Sequence, residues 1–97
     1  MTSPKAGRYQ VFAGVTPHEI LDISIEGPLV NIDGPHWFGS GNLTQNAYRG
    51  IVAYKKLVPG IKTHRAFHQA DWNGEHFDVL AFFDGLSKPA KLTWKPV

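Results

Sequence analysis

The stretch KTHRAFHQADWNGEHFDVLAFFD, Lys62 to Asp84, decides how the rest of this chain is read. It joins the clearest turn signal to the densest set of aromatic and titratable side chains. Asn73-Gly74 lies between two runs that can alternate, and Asn-Gly supplies the two positions of positive φ that a type I′ hairpin turn requires. With those two residues as the loop, Trp72 faces Glu75, Asp71 faces His76, Ala70 faces Phe77, His68 faces Val79 and His64 faces Phe83. Side chains alternate between the two faces of a strand. One face then carries His64, Ala66, His68, Ala70 and Trp72 together with Phe77, Val79, Ala81 and Phe83. This face is mainly apolar and is expected to lie on the core, which places two histidines in or beside apolar surroundings. A rival local reading is a short helix from His64 to Trp72, with Thr63 as N-cap and Gly74 just past its end, because that run holds no β-branched residue. We take the strand.

The choice between strand and helix bears directly on metal binding. On a strand His64 and His68 stand about 13 Å apart, too far to share an ion whose bonds to nitrogen are about 2 Å. On a helix they approach to about 6 Å, where Asp71 or His76 could complete a site. With the strand preferred, no metal and no cofactor is expected.

Upstream, Arg8 to Val15 alternates and reads as a first strand. Thr16-Pro17-His18-Glu19 has the pattern of a capping box with proline at the first helical position, yet Leu21, Ile23 and Ile25 alternate with Asp22, Ser24 and Glu26. The isoleucines favour a strand here, following at most one helical turn. Leu29 to Asp33 returns as a short strand between Gly27-Pro28 and Gly34-Pro35. His36-Trp37-Phe38-Gly39-Ser40-Gly41 reads as a glycine-rich aromatic loop that plugs one end of the core or forms a lip over a pocket. It lacks the Lys-Ser/Thr pair of a phosphate loop. Leu43, Ala47, Gly50, Ile51, Tyr54, Leu57 and Val58 recur at helical spacing behind an Asn42 cap, which predicts one helix from Leu43 to Val58, ended by Pro59-Gly60. Ala90, Leu92 and Trp94 alternate with Lys91, Thr93 and Lys95 in a last strand. The resulting expectation is an α+β domain: a curved antiparallel sheet of about five to six short strands packed on one central helix.

With 97 residues the chain is expected to form a single domain, its first seven residues frayed. It has no cysteine, which excludes a disulfide framework and a thiolate metal site. No signal-peptide pattern and no long apolar run appears, so a water-soluble, cytoplasmic chain that does not insert into membranes is expected. The net charge of +2 comes from blocks of alternating sign. The basic block of Arg49, Lys55, Lys56, Lys62 and Arg65, with Tyr48, Tyr54 and Phe67 close by, offers phosphate and stacking contacts. Acidic blocks on both sides weigh against a dedicated nucleic-acid binder.

Two functional readings follow. The preferred one is a non-catalytic binding domain presenting His36, Trp37, Phe38, His64, His68, Trp72 and Phe77 as an aromatic and histidine-lined pocket or patch to a small ligand or protein partner. An exposed strand edge would also offer pairing with a second copy. The alternative is a small metal-independent ribonuclease, or another acid–base enzyme, using these histidines beside Lys62, Arg65 or Lys91. The resemblance behind that alternative is one of fold only.

Overall fold

Runs of Val, Ile, Tyr, Phe and Trp that alternate with polar residues bury one face and hydrate the other, and in this chain a two-residue period persists through nearly every element. The computed structural model describes residues 3–54, 65–83 and 87–97. Its strands are β1 (Gly7–Ala13), β2 (Thr16–Glu26), β3 (Leu29–Asp33), β4 (Trp37–Thr44), β5 (Ala47–Tyr54), β6 (Arg65–Trp72), β7 (Phe77–Phe83) and β8 (Ala90–Pro96). Each pairs antiparallel with its neighbours in sequence, and β8 returns to β1, closing an all-β barrel of eight strands. Tyr9, Val11, Leu21, Ile23, Val30, Ile32, Trp37, Tyr48, Trp72, Phe77, Val79 and Trp94 point inward and are buried. Arg8, Asp22, Asp33, Arg49, Asp71, Asp78, Lys91 and Lys95 are spread over the outer face, on exposed or half-exposed positions. An apolar interior with a charged exterior is the reverse of the polarity of a transmembrane barrel. Among the described residues no helix is long and apolar enough to cross a membrane.

The expected α+β fold with a central helix is therefore corrected to an all-β barrel. Residues assigned to a helix from Leu43 to Val58 instead finish β4, turn, and form β5. The turn is Gln45-Asn46, flanked by the pair Thr44 and Ala47, and Gln45 takes a positive φ of 57°. Inward positions are Leu43, Tyr48, Gly50 and Val52, while Arg49 and Ile51 face out, so the period is two. Helical spacing appeared only because Gly50 and Ile51, on opposite faces, were both counted as apolar. Residues 55–58 of the expected helix lie outside the described residues. The expected loop from His36 to Gly41 is mostly β4, and the expected helical turn at Thr16-Pro17 opens β2.

Residues 65–72 form a strand, and the face assigned to Ala66, His68, Ala70 and Trp72 with Phe77, Val79 and Ala81 is the buried one. The register differs from the expected one by two residues. Trp72 pairs with Phe77, Ala70 with Val79, His68 with Ala81 and Ala66 with Phe83. The cause is the Asn73 side chain, whose Oδ1 accepts hydrogen bonds from the backbone N–H of Glu75 (2.9 Å) and of His76 (3.0 Å). This Asx turn makes a four-residue loop in which Gly74 has φ 102° and Asn73 has no positive φ. A shift of two leaves every side chain on its face.

Glycines build the β4–β5 wall. Gly41 pairs with Gly50, and a Cβ at Gly41 would lie 2.1 Å from the carbonyl oxygen of Arg49 and 2.5 Å from the Cα of Gly50. Backbone cannot yield as a flexible side chain does, so Gly41→Ala is expected to cost about 3 kcal/mol or more. Gly27, with φ 58° and open space at its Cβ position, is the comparison. Gly27→Ala is expected to cost only about 1 kcal/mol, the left-handed backbone penalty. Urea denaturation of the two variants checks this, and equal losses would contradict the close packing of the wall.

Candidate functional site

Rings pack together toward one end of the barrel interior, and toward the other the described residues line a cavity. At the filled end Tyr9 packs against Trp72 (ring centroids 6.5 Å) and Phe77 (5.7 Å), and Trp72 meets Phe77 edge to face at 5.0 Å. At the opposite end, where β5 finishes and β6 begins, a cavity of about 320 Å³ is lined by Val11, His18, Glu19, Trp37, Val52, His68, Phe83, Leu92 and Trp94. Val11 and Val52 are the small inward residues of this lining, and Trp37, His68, Phe83 and Trp94 are its rings.

A bulge places Glu19 at the rim. Gln10 pairs with Ile20 but Phe12 with Pro17, so His18 and Glu19 together face Val11. Gln10 holds this irregularity by donating from Nε2 to the carbonyl oxygens of His18 (2.6 Å) and Glu19 (3.2 Å). Glu19 shares the inward face of Leu21 and Ile23, and its carboxylate accepts a hydrogen bond from the indole N–H of Trp37. That bond fixes the Trp37 ring across the mouth. Trp37 in turn meets His68 edge to face at 5.5 Å, and His68 meets Trp94 at 5.2 Å.

His68 is 3% exposed, and its Nδ1 has no hydrogen-bond partner. Burial without a compensating charge holds its pKa down to about 4, so the ring is neutral at physiological pH. Two further buried atoms without a partner are the hydroxyl of Tyr48 and the indole nitrogen of Trp94. Burial pushes the Tyr48 hydroxyl up to about 12, which keeps it a proton donor.

Of the residues expected to form the site, Trp37 and His68 meet in this cavity, whereas Trp72 and Phe77 belong to the filled end. Phe38 faces outward and is 52% exposed, and His36 is exposed beyond the start of β4 without lining the cavity. His64, Lys55, Lys56 and Lys62 lie outside the described residues. Arg49 and Arg65 are exposed on the outer face, Arg49 paired with Asp71 at 3.3 Å. Among the described residues no group of three or more His, Asp or Glu side chains could hold a metal ion.

Glu19 was not picked out from the sequence, and Tyr48 figures there only as a stacking contact beside the basic block. For Glu19 the signal was present, since it shares the face of Leu21, Ile23 and Ile25 as a lone charge in an apolar row, but the capping-box pattern obscured it. Trp94 and Phe83 belong to the set of aromatics that the sequence offers as cavity lining, and both line this cavity. Comparison with protein-family models, curated proteins and solved structures finds no match to this chain.

The depressed pKa of His68 has a consequence for stability. An unfolded histidine titrates near 6.5 and the folded one at about 4, so between these values the unfolded chain binds the extra proton and stability falls as pH falls. The full loss is on the order of 3 kcal/mol, complete near pH 4. His68→Gln removes the titration, so the stability difference between wild type and variant should shrink by about that amount from pH 7 to pH 4. Urea melts at half-unit pH steps measure it. Parallel curves would mean that His68 protonates as readily in the folded chain as in the unfolded one.

Proposed function

We propose that this protein is a non-catalytic binding barrel that takes one small, largely apolar molecule into the cavity end. The observation that carries the reading is the cavity of about 320 Å³ walled by Trp37, Phe83, Leu92 and Trp94, with the buried, unpartnered imidazole of His68 among its lining. Eight strands is the number at which a barrel interior is either just filled by side chains or just able to hold one small ligand. Here one end follows each course. Ligand sites are typically mostly apolar with a few polar groups, and a volume near 300 Å³ lies at the small end of their range.

Acid–base catalysis draws little support from the same residues. A general base near neutrality needs a pKa close to the working pH, and His68 sits well below it. The outward-facing Arg65 is on the opposite face of β6 from His68. A chain without cysteine needs no oxidising compartment, and we place its work in the cytoplasm.

N-phenyl-1-naphthylamine, an uncharged dye that brightens in apolar sites, tests the reading. Saturable binding at one dye per chain, with energy transfer from tryptophan, is expected. Leu92→Trp should fill the mouth and weaken binding by about tenfold or more, while Phe67→Ser on the outer face leaves it unchanged. Absence of saturable binding, or equal loss in both variants, would remove the cavity from consideration.

A further inference from the structure

The outer wall of the barrel carries a row of apolar side chains set between cations. Ile51 pairs with Phe67 and Phe67 with Phe82, which makes one outward-facing row across β5, β6 and β7. The two rings lie 6.3 Å apart, and Ile51, Phe67 and Phe82 are 56%, 38% and 37% exposed. Toward the Asn73 turn the next row holds Arg49, Gln69, Leu80 and Lys91, and on the other side Arg65 pairs with Ala53. Arg49, Arg65 and Lys91 are exposed, and Ile51, Arg65, Ala66 and Phe67 line a depression of about 170 Å³ beside the rings. Carboxylates border this surface. Asp71 and Asp78 face each other one row beyond Arg49, where Asp71 meets Arg49 at 3.3 Å and Asp78 lies 3.1 Å from His76 Nε2. On β4 the border is Asp33, which pairs with Phe38.

We propose that this wall is a docking platform for single-stranded nucleic acid, with bases stacked on Phe67 and Phe82 and phosphates held by Arg49, Arg65 and Lys91. The platform stands apart from the cavity, because Phe67 and His68 project from opposite faces of β6. A nucleotide offers an apolar base face to a ring and a phosphate to a neighbouring cation, so rings flanked by cations answer both of its parts. Guanidinium forks match phosphate geometry, and Phe rings stack without reading sequence. A second copy fits this face poorly. A two-fold axis across the strands lays the row of Arg65 on the row of Arg49 and Lys91, and an axis along them sets Arg49 against Lys91 and Asp71 against Asp78. A lipid surface calls for side chains that reach down into it, whereas Phe67 and Phe82 have more than half of their surface covered.

Fluorescence anisotropy of the full chain with fluorescein-labelled oligouridylate and oligothymidylate of about 12 nucleotides, and with a duplex of the same length, tests the platform. At least one single strand should bind more tightly than the duplex, and the two strands separate RNA from DNA. Raising salt from about 50 to 200 mM should weaken binding about 20-fold, as three phosphate contacts require, and Arg65→Gln should lower that salt slope by about a third. Phe67→Leu keeps apolar bulk and removes the aromatic face, so affinity should fall about fivefold or more while urea denaturation stays near that of wild type. Phe82→Leu, at the second ring, should act likewise. No change in anisotropy up to roughly 100 μM protein, the weak end of non-specific binding, would overturn the proposal. So would wild-type affinity in both leucine variants, or tighter binding of the duplex. Cosedimentation with phosphatidylserine vesicles in place of oligonucleotide binding would overturn it in favour of a lipid surface.

Discussion

The seam where Tyr9 to Phe12 meets Thr93 to Pro96 turns a sheet into a barrel, and the rest of the structure depends on it. An open antiparallel sheet has two faces and two edges, and its apolar face needs another layer to cover it. Closing the seam makes the inner face its own cover and leaves neither β1 nor β8 as a free edge. Pairing with a second copy through an open strand edge therefore loses its basis among the described residues. The seam also sets Val11 opposite Trp94, which fixes the most deeply buried of the three interior tryptophans. From there Trp94 reaches Trp37, Tyr48, His68 and Phe77.

How the interior is filled follows from an asymmetry between its walls. On β4 and β5, Gly39, Gly41 and Gly50 remove side chains from the inner face, and Gly50 does so where the Tyr48 ring needs the room. On β7 and β8, Phe77 and Trp94 project into that space. Large rings at Tyr9, Trp72 and Phe77 pack together at one end, while at the other Trp37, Phe83 and Trp94 stand around a cavity floored in part by Val11 and Val52. The cavity thus lies where Val11 and Val52 project from β1 and β5 between the rings of Trp37, Phe83 and Trp94. The bulge at His18 and Glu19 adds a carboxylate at the rim, and Gln10 binds the carbonyls that the bulge exposes.

Much of this was legible in the sequence, and what was not has physical causes. Alternation identified β1, β2, β3, β6, β7 and β8, and it assigned Ala66, His68, Ala70 and Trp72 to the inner face. It failed between Leu43 and Tyr54, where glycine reports neither face and Gln45, a residue that rarely takes positive φ, makes the turn. Reading a loop at His36 to Gly41 and a helix after it removed two strands from the count, and without them the sheet could not close. The loop at Asn73 was misjudged because the Asn side chain competes with the backbone for the same donors, which dipeptide preference does not reveal. The site was legible in part: Trp37 and His68 were named, but nothing local shows that the start of β4, the bulge of β2 and the middle of β8 converge. Only closure brings them together.

The distribution of polar satisfaction bears on why the interior keeps its heteroatoms. Where structure alone is at stake, this chain provides partners. Asn73 takes two turn amides, Gln10 takes the bulge carbonyls, and the Tyr9 hydroxyl donates to the Lys5 carbonyl at 2.6 Å. At Tyr48, His68 and Trp94 it provides none. Each buried polar group left alone costs about 1–3 kcal/mol, a large amount beside the roughly 5–15 kcal/mol that holds a typical domain folded. Phenylalanine at position 48 or leucine at position 68 would avoid that cost and still fill a barrel. The three residues are also neighbours rather than scattered faults, the Trp94 ring lying 6.4 Å from that of Tyr48 and 5.2 Å from that of His68. The interior therefore carries polar groups that close packing of the barrel does not require.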